Sequence, residues 1–223
     1  MSLLMFRRGT HPRLRRKESI LMKRCMVLGV MMCVVGLTGC VGSGEVMKIR
    51  LNDMMQSTMG KTGENLMVSV SGFEDQRPPS NHLGTHVGLF GGVAYFDLLD
   101  GNLDKGISEA FVNFLQQSGF NASNGGRAPG DVRIAGKVTK FSANATGQFL
   151  STNIKVDAIM EFTIENAADG STVRMTIGAG GTDDVVFFEA ADLESLVNEV
   201  LQEGFEELIE KTIVEGKTLR RKV

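Results

Sequence analysis

A single α+β domain, built on a mostly antiparallel sheet with two helices packed on one face, is predicted by three patterns in the chain. Asn153 to Glu165 alternates, with Ile154, Val156, Ala158, Met160, Phe162 and Ile164 on one side and Lys155, Asp157, Glu161 and Thr163 on the other. Thr172 to Gly180 returns with Val173, Met175, Ile177 and Ala179 inward, after an Asp169-Gly170 turn able to take positive φ. Leu103 to Ser118 and Ala190 to Val214 instead repeat apolar residues at helical spacing, and a helix with one apolar stripe must bury it.

The elements follow in order strand, helix, three-strand meander, helix. Asn65 to Gly72 opens the domain as a strand, with Leu66, Val68 and Val70 alternating against Met67, Ser69 and Ser71. Phe73-Glu74-Asp75-Gln76-Arg77-Pro78-Pro79 ends it, because two prolines remove backbone donors. The first helix carries Leu103, Ile107, Ala110, Phe111, Phe114 and Leu115 on its stripe, with Asn102 as candidate N-cap and Gly119-Phe120 as stop. Val132 to Phe141 is the first strand of the meander. The last helix buries Leu193, Leu196, Val197, Val200, Leu201, Phe205, Leu208, Ile209 and Ile213, and its other faces are rich in glutamate. The α+β domain is thus expected to span residues 65–215, with a solvated basic tail over 216–223.

Composition fits a globular protein: of 223 residues, 42% are hydrophobic and 22% charged, which is unlike a disordered chain. Charge is unevenly placed. Eight of the 24 Lys and Arg and one of the 26 Asp and Glu precede Cys40, so the chain from Cys40 onward has 16 bases against 25 acids, formally −9. A nucleic-acid partner needs a basic face to neutralise phosphates, and none is present there.

The first 39 residues read as a signal peptide. Met22, Lys23 and Arg24 are a positive n-region, and Cys25 to Leu37 an apolar run of h-region length, too short for the roughly 20 residues that cross a bilayer. Met1 to Leu21 has no signal character, so a true start at Met22 is expected. Leu37-Thr38-Gly39-Cys40 closes the run. It resembles the lipobox of bacterial lipoproteins, in which small residues admit the peptidase and the thiol of Cys40 accepts diacylglycerol before cleavage. Residues 40–64 are then a lipidated tether, with one edge strand near Val46 to Leu51. Val41 in place of Asp resembles the pattern that sorts lipoproteins to the outer membrane. Cys25 and Cys33 leave with the signal peptide and Cys40 becomes a thioether, which excludes disulfides, a thiol nucleophile and cysteine-bound zinc from the domain.

Catalytic signals are sparse. His82 and His86 stand at i, i+4, the spacing of a helical zinc pair, but Gly84, Gly88, Gly91 and Gly92 argue against a helix there. Glu74 and Asp75 are adjacent in a strand and point to opposite faces, so a loop-capping pairing of Asp75 with Arg77 is the simpler reading. The Gly-rich segment from His82 to Phe96 lacks the GK[ST] of a phosphate cradle but sets Leu89, Phe90, Val93, Tyr95 and Phe96 among glycines, which makes it the candidate partner-binding loop, the alternative being that these side chains fold back to cap the sheet.

The lipobox, the strand ending in Phe73-Glu74-Asp75-Gln76-Arg77, the Gly-rich aromatic loop from Leu83 to Gly92, the helix ending in Ser118-Gly119-Phe120, the meander and the C-terminal helix together resemble the YajG-type lipoproteins. That resemblance implies an outer-membrane lipoprotein facing the periplasm with no established enzymatic activity. The sequence thus predicts a membrane-anchored, non-catalytic binding or accessory module of the cell envelope. It is expected to use no cofactor or metal, to be held to the membrane by lipid on Cys40, and to bind an envelope protein. The competing reading is a metal-dependent hydrolase using His82 and His86.

Overall fold

Val132–Gly147, strand β6, is the element on which the sheet is organised. The computed structural model describes residues 44–51, 60, 62–63, 66–99, 101–125 and 130–222. The signal peptide, Leu37, Thr38, Gly39 and Cys40 lie outside the described residues. Along β6, Val132, Ile134 and Val138 are buried at even positions, then Phe141, Ala143 and Ala145 at odd ones. The change of phase has a structural cause. Against the antiparallel strand β7 (Thr152–Asn166) the register slips between Val138 and Lys140, leaving Thr139 as an extra residue. A one-residue bulge turns both apolar sets toward the same core.

Strand β8 (Thr172–Val185) pairs antiparallel with β7 and, among the described residues, with no other strand, so that it forms an edge there. The other side of β6 is divided between two strands. Its first half pairs in parallel with β2 (Met67–Asp75), and its far end, at Ala145 and Thr146, pairs in parallel with β3 (Gly84–Val87). Beyond β3 come β4 (Val93–Leu98), antiparallel to it, and β1 (Glu45–Ile49), parallel to β4; beyond β2 comes β5 (Asn121–Asn124), again parallel.

This corrects the predicted class. The protein is mostly β, with a curled sheet of mixed parallel and antiparallel strands in place of a mostly antiparallel one. The reason lies in β6: a strand long enough to serve two neighbours end to end recruits β2 and β3 in parallel, and β1, β3, β4 and β5 have only four to six residues each. Such short strands give too few alternations to be read. The C-terminal helix also ends earlier than expected. It spans Ala190–Glu210, and Thr212–Glu215 (β9) and Thr218–Arg221 (β10) follow as an antiparallel hairpin where a helix end and a solvated tail were expected. Asn166 at the end of β7 pins that hairpin, accepting from the Leu219 amide at 2.8 Å and donating to its carbonyl at 3.1 Å.

Helix α1 (Leu103–Gln117) packs on β2 and β5, and α2 (Ala190–Glu210) on β8, β7 and β1. Asn102 stands at the N-cap of α1 but makes no side-chain cap bond, whereas α2 begins with a reciprocal capping box between Glu189 and Asp192. The helices meet through Phe111 and Phe205, with ring centroids 4.9 Å apart, above Phe162 of β7. Phe73 stands edge-on to both Phe111 and Phe162, each at 5.6 Å. Burying each such ring contributes about 1.5–3 kcal/mol, so this cluster is a large share of the core.

Phe73 reaches that cluster through a second bulge. Between Val70 and Phe73 strand β2 gains one residue on β6, which takes the Phe73 amide out of the ladder. Ser108 of α1 replaces the lost acceptor: its Oγ receives the Phe73 N–H at 2.9 Å and donates to the Asp104 carbonyl at 2.6 Å. The Phe73 ring then lies over Gly136, where a Cβ would come within 2.6 Å of three ring atoms.

Two stability changes follow from this joint. Ser108→Ala leaves the buried Phe73 amide without a partner and is expected to lower unfolding free energy by about 1–3 kcal/mol, with the denaturant m-value unchanged. Gly136→Val pushes Phe73 off its seat and is expected to cost about 1–3 kcal/mol or more by overpacking. Urea unfolding followed by circular dichroism measures both, and unchanged midpoints would show that the joint bears no load.

Candidate recognition surface at one end of the sheet

Strand register brings three turns together at one end of the sheet. The β3–β4 turn is closed by Gly88 N–H to Gly92 O at 2.8 Å, and the β6–β7 turn by Gln148 N–H to Ser151 O at 2.7 Å. Val87 beside Thr146 in the β3–β6 pairing makes these turns neighbours. They approach so closely that a Cβ on Gly147 would lie 2.7 Å from the Leu89 nitrogen. Gly147 pairs with Thr152 and Thr152 with Val185, so the segment after β8 joins the same end.

The tips of these turns are apolar. Leu89 is 49% and Phe90 86% exposed on the first, Phe149 84% and Leu150 76% on the second, Val186 70% and Phe187 86% on the third. Turn tips are ordinarily polar, and three adjacent ones carrying large apolar side chains form a patch of the kind that marks an interaction surface.

The residues singled out in the sequence divide in consequence. The segment from His82 to Phe96 is not an irregular loop but contains the β3–β4 hairpin, whose side chains alternate. Leu89 and Phe90 lie at the exposed tip, Val93 and Tyr95 are half-buried, and Phe96 is fully buried in the core beside Ala94. Phe149, Leu150, Val186 and Phe187 were missed. Their only sequence signal is an apolar pair at a strand end where a turn should be polar, and nothing local shows that the pairs converge.

The two histidines are separated by the same alternation. His82 stacks on Tyr95 at 4.3 Å, and its Nδ1 lies 2.9 Å from Asp97 Oδ1. His86, only 6% exposed, stands with the inward residues, 4.5 Å from the Phe188 ring and 6.4 Å from that of Phe96. Tyr95 and Phe96 belong to opposite faces of β4, so the two imidazoles cannot converge on one ion. Among the described residues no group of three or more His, Cys, Asp or Glu is placed to hold a metal. Asp75 is engaged by Arg77 in a two-point pair, Nε to Oδ1 at 2.9 Å and Nη2 to Oδ2 at 2.8 Å. The Arg77 side chain holds the Asp75 carboxyl below the ordinary carboxylate range, while Glu74 pairs with Lys137 at 3.9 Å.

Burial pushes the His86 pKa down. The unfolded chain therefore takes up a proton more readily than the folded one, and His86 removes stability as pH falls below about 6.5. His86→Leu is expected to flatten this part of the stability profile without shifting stability at pH 8 in the same way. Thermal unfolding from pH 8 to 5 tests it, and identical slopes in both proteins would contradict it.

No family model matches the chain, and no curated protein matches it. Solved structures similar to it include a Xanthomonas campestris protein of the DUF330 family model, at 11% identity and TM-score 0.46, covering 74% of this chain and 92% of that one. The PelC dodecamer of Paraburkholderia phytofirmans is similar at 12% identity and TM-score 0.34, covering 65% and 92%. Lipoprotein GNA1162 of Neisseria meningitidis is similar at 14% identity and TM-score 0.25, covering 61% and 95%. At these identities and scores the likenesses carry no argument about function.

Proposed function

We propose that the chain is a lipid-anchored lipoprotein of the bacterial cell envelope, acting as a non-catalytic binding or accessory module. The observation that carries this reading is the apolar end of the sheet, where Phe90, Phe149 and Phe187 stand almost fully exposed on three adjacent turns. Such side chains are costly to leave in water and are retained where something covers them. The anchor is supported by the order n-region, h-region and Leu37-Thr38-Gly39-Cys40. The non-catalytic role is supported by the occupied state of the candidate groups: Asp75 is paired with Arg77, and His86 is enclosed by phenylalanines.

Placement in the outer membrane, facing the periplasm, belongs to the same proposal and rests on Val41 following the lipidated cysteine. Kinship with the YajG-type lipoproteins does too, and rests on the motifs that resemble theirs.

Cys40→Ser is the direct test. Without the thiol there is no acceptor for diacylglycerol, so the variant is expected to accumulate as uncut precursor that takes up no labelled palmitate. Density separation of inner and outer membranes in cells carrying the unaltered chain locates it. Normal processing and membrane attachment of Cys40→Ser would refute the anchor.

A further inference from the structure

The end of the sheet that carries the apolar turns is also the end at which the described domain begins. Strand β1 runs parallel to β4, with Glu45 beside Ala94, and the Gly44 N–H donates to the Val93 carbonyl at 2.7 Å. Val93 is the first residue of β4, directly after the turn that bears Leu89 and Phe90. The chain therefore enters the domain alongside the turn tips. Cys40 stands four positions before Gly44, and four residues span at most about 14 Å when fully extended.

We propose that Leu89, Phe90, Phe149, Leu150, Val186 and Phe187 are a membrane-docking rim, seated in the interface of the bilayer that holds the lipid on Cys40. This rests on the anchor proposed above and names what covers the apolar end. Length decides between a bilayer and a protein as the occupant. A single helix with its side chains is about 10–12 Å across, so a tether of at most about 14 Å leaves no room between this end and the membrane surface for a partner more than one helix thick. The tips match the chemistry of the interface, where apolar side chains enter about 5–10 Å into the headgroup and acyl boundary. Attraction is apolar rather than electrostatic. The chain from Cys40 onward is formally −9, and Asp183 and Asp184 lie exposed close to the rim, so anionic headgroups offer it no gain.

The protein contains no tryptophan, so one introduced at a tip is a clean reporter. Phe149→Trp and Phe187→Trp alter exposed positions that the core does not use. Ile213→Trp, in the β9–β10 hairpin held by Asn166 at the opposite end of β7, is the control. Each full-length variant is expressed, recovered in processed form and reconstituted into phosphatidylethanolamine and phosphatidylglycerol vesicles, with and without brominated acyl chains. Mass spectrometry of the same samples reads the modification of Cys40.

With Cys40 lipidated, bromination is expected to quench the two tip variants by about twofold or more, to leave the control unchanged, and to act equally in about 1 M salt. Lipidated samples in which the tips are as unquenched as the control overturn the docking rim and leave the anchor standing. In that case, dimers in sedimentation assign the rim to a second copy, and monomers assign it to a protein partner. Quenching abolished by salt overturns the apolar mode of docking. Unmodified Cys40 removes the anchor and the rim together.

Discussion

Strand β6 must present an apolar face to the helices along sixteen residues while its edge serves β2 and then β3. A regular strand with this sequence would turn Phe141, Ala143 and Ala145 to the side opposite Val132, Ile134 and Val138, because side-chain direction reverses at each residue. Thr139 resolves the conflict by standing out of register, with its hydroxyl donating to the Ile159 carbonyl at 3.2 Å. The core above the sheet and the arrival of β3 beside the far end of β6 both depend on that slip. So does the surface: the β3–β4 turn lies beside the β6–β7 turn only because Val87 finds Thr146.

The two bulges differ in how they are stabilised. At Thr139 the sheet satisfies itself. At Phe73 the displaced amide needs a helix, and Ser108 supplies the acceptor, so the seat of α1 on β2 is fixed by a hydrogen bond as well as by phenylalanine packing. Bulges of this kind curl a sheet, and here the curl lets α1 and α2 converge on one cluster, where Phe111 meets Phe205.

The helices were legible because their apolar residues recur over many turns, and the bounds of α1 at Leu103 and Gln117 fall within a residue of those read from spacing. The end of α2 was not, because Ile213 continues the stripe of Leu208 and Ile209 although Thr212-Ile213-Val214 is a β-branched run that prefers a strand. Strand β6 read only as far as Phe141 because the bulge breaks its alternation, and that break hid the pairing with β3 on which the mixed topology rests. Glycines around Leu89 made a hairpin look like a loop. Of the surface, Leu89 and Phe90 were visible as apolar residues among glycines, whereas Phe149, Leu150, Val186 and Phe187 join them only through register, which is a property of partners far apart in the chain.

Strand β8 ends at Val185, beside the apolar turns, and its outer edge has no strand partner among the described residues along its fourteen positions. Free edges of that length invite pairing between copies, most readily in the antiparallel sense. A domain whose turns all rest on one bilayer stands the same way up in every copy. Two β8 edges meeting side by side would then run in the same direction, since an antiparallel match would need one copy inverted. If the rim docks as proposed, attachment to a plane is thus an orientation filter, withholding from neighbouring molecules the strand pairing that free tumbling would allow.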